Sequence, residues 1–152
     1  MILNKINNNN YILKITNNNL DIYDKDKVEN LTKNIIKKIL KNNKLSGFTY
    51  FEVYLDKNYG MIINIKVKET TYLNDEIDVK ITFNLNSNFL YLIDYFDIIE
   101  NNLANQNIYY YKDNFYLQID NNISLKDYYN LLEMSDIIYE DTFKIINNAI
   151  KL

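Results

Sequence analysis

The sequence predicts an α+β fold of antiparallel β-hairpins with helices packed on one sheet face, in two similar-sized halves. Three observations carry this. Apolar residues alternate with polar ones in short runs separated by Asn, Asp and Gly, the pattern of half-buried strands and tight turns. One longer stretch, 27–44, spaces its apolar residues at the helical period instead. The charge also changes sign along the chain: residues 1–70 carry twelve Lys and seven acids (+5), residues 71–152 five Lys and thirteen acids (−8). The sum is the net −3, and a basic half joined to an acidic half has two readings: two surfaces with different partners, or halves that attract each other and help the fold or an oligomer.

Ile2–Ile6 and Tyr11–Thr16 read as two strands joined by an Asn7–Asn10 turn, since Asn tolerates left-handed backbone and bonds locally. Asp24 or Asp26 caps a helix over Lys27–Lys44 with Val28, Leu31, Ile35 and Ile39 on its apolar stripe, widened by Ile36 and Leu40. Gly47 stops the chain beyond it. Thr49–Leu55 and Met61–Val67 form a hairpin around Asp56–Gly60. The polar stretch 70–78 reads as a boundary between a basic β-β-α-β-β unit over 1–70 and an acidic α+β unit over 77–152, with packing of the two as a single domain as the alternative.

In the second unit Val79–Leu85 alternates as a strand and Asn86–Asn88 breaks it. Phe89–Leu103 reads as a short strand and then a helix with Leu92, Phe96, Ile99 and Leu103 on its stripe. Ile108–Lys112 and Phe115–Asp120 flank the turn pair Asp113-Asn114. Ser124 and Asp127 resemble a capping box before a helix Leu125–Met134. Ile137–Tyr139 is a short strand, and Asp141 caps a last helix Thr142–Ala149 with Phe143, Ile146 and Ile150 on one face.

The composition excludes much chemistry. The chain has no His, Cys, Arg, Trp or Pro, and its only glycines are Gly47 and Gly60. A phosphate loop needs several glycines, a serine triad needs a His or Lys base, and structural zinc prefers Cys and His. The expectation is no enzyme, no metal and no cofactor. The 28 Asn and 15 Tyr follow AT-rich codons and point to a low-GC bacterium. No apolar run approaches the ~18 residues of a membrane span, and MILNKINNNN lacks a signal-peptide core, so the reading is cytoplasmic with no membrane partner.

Carboxylates are the one remaining route to catalysis or cation binding. Asp94, Asp97 and Glu100 share a helical face, and Asp75, Glu76 and Asp78 lie together. Both clusters read as solvated faces. The tyrosines are stronger binding candidates. A strand through Tyr109–Tyr111 puts Tyr110 on one face and Tyr109 and Tyr111 on the other. Two readings are open: a cross-strand ladder with Tyr116, or rings displayed to a partner.

The order of these features resembles one family. MILNKINNNNYILKIT and the polar helix after it resemble the N-terminal domain of MecA-type adaptor proteins. IYYYKDNFYLQID is similar to that family's tyrosine-rich hairpin. LLEMSDIIYEDTFKIINNAI, with Leu132, Glu133, Ile137, Ile138, Phe143 and Ile146, is similar to its closing L-x-E-x-G-x-x-I…A-x-x-x-I pattern. Ser135 replaces the glycine, Thr142 or Phe143 the alanine, and this chain is shorter than family members. The resemblance implies a non-enzymatic adaptor whose N-terminal half holds substrate proteins. Its C-terminal half would dock on a ClpC-type AAA+ unfoldase that feeds the ClpP protease. On that reading the docking residues are Asp94, Asp97, Glu100, Tyr109, Tyr111, Tyr116, Glu133 and Asp136.

Two other functions fit the sequence. Lys33, Lys37, Lys41 and Lys44 line the polar face of the long helix and could meet nucleic-acid phosphates. The absence of Arg and the acidic net charge argue against that. A small phage or mobile-element protein that blocks a host enzyme is the third reading.

Overall fold

The computed structural model describes residues 2–16, 24–43, 48–68, 79–84, 88–120 and 123–152. The predicted α+β class holds: the described residues form four helices and ten strands in two antiparallel-rich sheets. The chain divides into two compact units, Met1–Asn86 and Ser87–Leu152.

The first unit begins with β1 (Ile2–Asn7) and β2 (Asn10–Thr16), an antiparallel hairpin turned by Asn8 and Asn9. Asn7 Oδ1 accepts the backbone N–H of Asn9 at 2.9 Å, the local bond that makes Asn a turn former. Helix α1 (Lys25–Asn43) follows. Asp24 is its cap, accepting the Lys27 N–H on its carboxylate at 3.1 Å. Strands β3 (Phe48–Asp56) and β4 (Gly60–Lys68) form the second hairpin. Asp56 Oδ1 accepts the N–H groups of Asn58 (2.8 Å) and Tyr59 (2.9 Å), and Gly60 takes φ 114°, which a side chain would disfavour. The sheet order is β1-β2-β4-β3-β5, with β5 (Val79–Asn84) parallel to β3.

That pairing corrects the expected boundary. The strand read as the start of the second unit belongs to the first, because Val79, Ile81 and Phe83 pack against the core of Leu13, Phe51, Val53, Met61, Ile63 and Ile65. The same core receives α1 through Val28, Ile36 and Ile39. The stripe is rotated from the expected one. Leu31 is 40 % exposed, whereas Thr32 is fully buried. Thr32 fits there because its hydroxyl donates back to the Val28 carbonyl at 2.7 Å.

In the second unit β6 (Leu90–Ile93) leads into α2 (Tyr95–Glu100), capped by Asp94. Then come β7 (Asn107–Tyr111), β8 (Asn114–Gln118), α3 (Leu125–Met134), β9 (Asp136–Ile138), α4 (Thr142–Asn148) and β10 (Ile150–Lys151), in the sheet order β10-β7-β8-β6-β9. Ser124 caps α3, its Oγ accepting the Asp127 N–H at 3.1 Å and donating to Asp127 Oδ2 at 2.6 Å.

One sheet face carries Tyr91, Ile93, Ile108 and Leu117, packed with Ile98 of α2 and Tyr128 and Leu131 of α3. The other carries Leu90, Tyr109 and Tyr116, packed with Ile145 and Ile146 of α4. Helices therefore share one face through α2 and α3, while α4 covers the opposite one. The reason is local: β7 is apolar on both sides, with Ile108 facing one way and Tyr109 the other.

Four further expectations are corrected here. Phe96 and Ile99 are 74 % and 52 % exposed, because α2 turns Ile98 inward instead. Phe143 and Ile150 point to solvent, leaving Ile146 with Ile145 as the inner residues of the last helix. Asp141 sits before α4 in left-handed backbone and makes no side-chain cap bond. The hairpin turn is Lys112-Asp113 rather than Asp113-Asn114: both residues have positive φ (49° and 60°), and Tyr111 pairs with Asn114.

Candidate functional site

Strand pairing in the second unit gathers residues that are far apart in sequence. Ile93 of β6 lies opposite Phe115 of β8, and Leu92 lies opposite Asp136 of β9. The N-terminus of α2 follows β6 directly, and α3 ends where β9 begins. These junctions enclose a groove of about 600 Å³ lined by Asp94, Asp97, Asp113, Glu133 and Asp136, with Tyr95, Phe96, Phe115 and Met134 among the other walls. No Lys lines it.

Asp94 is partly committed: its Oδ1 accepts the Phe96 N–H at 2.9 Å as the cap of α2. Asp113 accepts the Tyr110 hydroxyl at 2.9 Å. That bond and the nearby negative charge hold the Tyr110 phenol above its ordinary range. None of the five groove carboxylates forms an ion pair among the described residues. Beside them runs an aromatic row. The Tyr95 and Phe115 ring centroids are 5.1 Å apart, and those of Phe115 and Tyr110 are 5.0 Å apart. A second cavity of about 440 Å³ continues along this row, sharing Tyr95, Asp113 and Phe115 and reaching Tyr110 and Leu152.

The groove unites four of the eight expected docking residues: Asp94, Asp97, Glu133 and Asp136. Glu100 is exposed at the far end of α2 and does not line it. Tyr109 and Tyr116 are directly paired across β7 and β8 and are only 7 % and 9 % exposed. They are the cross-strand ladder, core residues beneath α4 with little area left for a partner. Tyr111 is half-buried on that same face, with Lys112 Nζ 5.3 Å from its ring centroid.

Sequence reasoning missed Asp113, Tyr95, Phe96 and Phe115, and named Tyr110 only as one of the hairpin rings left open to a partner. Asp113 was legible as a turn residue, but nothing in the linear chain ties a hairpin turn to the start of α2. On α1, Lys33, Lys37 and Lys41 are exposed, and Lys33 pairs with Glu29 at 3.7 Å. Lys44 and the acids Asp75, Glu76 and Asp78 lie outside the described residues.

Chemically, the groove offers carboxylate acceptors beside aromatic faces. Both attract Lys and Arg side chains, the first by charge-assisted hydrogen bonds and the second by the ring quadrupole. Among the described residues no cluster of three or more acids has the geometry to hold a metal ion, and no helix is long and apolar enough to cross a membrane. No protein-family model, curated protein or solved structure matches this chain, so its likeness to MecA-type adaptors rests on the quoted motifs alone.

Proposed function

We propose that this chain is a non-enzymatic adaptor of the cytoplasm that holds two proteins at once, one on each unit. The observation that carries the reading is the groove of the second unit. Carboxylates from four separate segments converge there beside exposed rings, with no basic residue among the described residues lining the groove to neutralise them. Such a surface is complementary to a basic, Lys- or Arg-bearing segment of a partner protein. The resemblance to MecA-type adaptors supplies the partner's class, a ClpC-type AAA+ unfoldase, and assigns substrate proteins to the first unit. The mechanism is tethering. A substrate held on one unit is kept at raised effective concentration near an unfoldase held on the other. No bond is made or broken in this account.

The test is direct binding of the purified full chain to a purified ClpC-type unfoldase, followed by fluorescence anisotropy. Reversing Glu133 and Asp136 to Lys should weaken binding by about tenfold or more, since like charges brought together across a docked surface cost at least ~1.4 kcal/mol. Glu100→Lys, outside the groove, should change little. Absence of binding by folded protein, or equal affinity of the reversed variant, would overturn the proposal.

A further inference from the structure

The outward face of α1 carries Lys37, Lys38 and Lys41, all exposed. None of the three forms an ion pair among the described residues, in contrast to Lys33. Lys37 and Lys41 are one turn apart, so they present charges about 6 Å apart along the axis. The groove of the second unit carries the opposite and equally unneutralised charge. One polypeptide thus bears both members of a complementary pair.

We infer that the lysine face of α1 docks in the acidic groove of a second copy of this chain. The occupant is a second copy because charge complementarity is already complete within a single sequence, and every copy brings both surfaces at equal concentration. The inference rests on the groove being a protein-docking surface. The contact is heterologous: the face of one copy meets the groove of the next, leaving one face and one groove free at the ends. Dimers therefore extend into longer assemblies as concentration rises. A docked α1 also covers the groove, so self-association and partner binding compete for one site. Exposed Lys–carboxylate contacts are individually weak and screened by salt, so the association is weak and confined to low ionic strength.

Sedimentation velocity of the full chain tests this. At low salt the mean sedimentation coefficient should rise with concentration, and in about 1 M salt, where the Debye length falls to ~3 Å, it should return to the monomer value. Two variants isolate the contact: Lys37→Glu with Lys41→Glu removes the face, and Glu133→Lys with Asp136→Lys removes the groove. Each alone should sediment as a monomer. Their equimolar mixture should associate again, because the intact face of the groove variant meets the intact groove of the face variant. Far-UV circular dichroism confirms that both variants are folded. A wild-type chain that stays monomeric at low salt and millimolar concentration overturns the inference, as does association that ignores salt. A mixture that fails to dimerise while the wild type associates overturns it too. The face variant keeps its groove, so it should still bind the unfoldase. A wild-type chain that binds the unfoldase yet stays monomeric at low salt therefore removes this inference and leaves the adaptor reading standing.

Discussion

Thr49 on β3 and Thr32 on α1 allow one chemical change to be made twice under matched burial. Both residues are 0 % exposed. The Thr32 hydroxyl donates to the Val28 carbonyl at 2.7 Å and lies 3.7 Å from Met61 Sδ. The Thr49 hydroxyl has no hydrogen-bond partner among the described residues. Thr→Val swaps a hydroxyl for a methyl at nearly constant volume, so packing is kept and the polar atom alone is removed. A buried hydroxyl without a partner costs roughly 1–3 kcal/mol. Thr49→Val should therefore stabilise by about 1–2 kcal/mol, helped by the strand preference of Val. Thr32→Val forfeits a made bond with a net value of about 0.5–1.5 kcal/mol, partly offset by burial of the new methyl, so it should destabilise by about 0–1 kcal/mol. The two substitutions should differ by about 2 kcal/mol. For a unit of this size each kcal/mol moves the melting temperature by about 4–8 °C. Urea unfolding followed by far-UV circular dichroism reads the difference as a shift in midpoint at unchanged m-value. If Thr49→Val destabilises as much as Thr32→Val, the Thr49 hydroxyl is satisfied in solution and the reasoning fails.

Two more outcomes follow from side chains already described. The hydroxyls of Tyr91 and Tyr128 are 2.9 Å apart and share a hydrogen bond that ties β6 to α3. A double-mutant cycle of Tyr91→Phe and Tyr128→Phe should give a coupling energy of about 0.5–1.5 kcal/mol, and additive single effects would show that the bond contributes nothing. The Asp24 carboxyl is held below its ordinary value of 3.8, chiefly by its side-chain hydrogen bond with Lys27 and then by the Lys27 backbone N–H. A depressed folded pKa contributes stability that is present above 3.8 and is lost as pH falls through the folded value. In an acid titration of helicity, Asp24→Asn should keep the cap but lose that part of the pH dependence; an unchanged profile would show that Asp24 is not the titrating cap.

What was legible in the chain was what local periodicity and turn chemistry dictate. The α1 stripe, the alternation of β3 and β4, the positive φ at Gly60 and the caps at Asp24 and Ser124 all follow from residues within a few positions of one another. Where a prediction missed, the competing signal was equally local. Leu31 and Thr32 are neighbours on one helix, and a rotation of about 100° decides which is buried. The turn slid by one residue because Lys112, like Asp113, adopts left-handed backbone when the pairing of Tyr109 with Tyr116 sets the register.

Sequence alone determined the class of the fold and the scarcity of reactive side chains, since hydrophobic period and residue identity need no knowledge of distant neighbours. Only the tertiary structure decided that β5 joins β3, that α4 covers the face opposite α2 and α3, and that acids from Asp94 to Asp136 meet in one groove. Those outcomes depend on which apolar face finds which partner. A strand that is apolar on both sides, or exposed at an edge, carries no local mark of what will cover it. Burial settles the choice across long separations in the chain, and the position of every surface carboxylate follows from that choice.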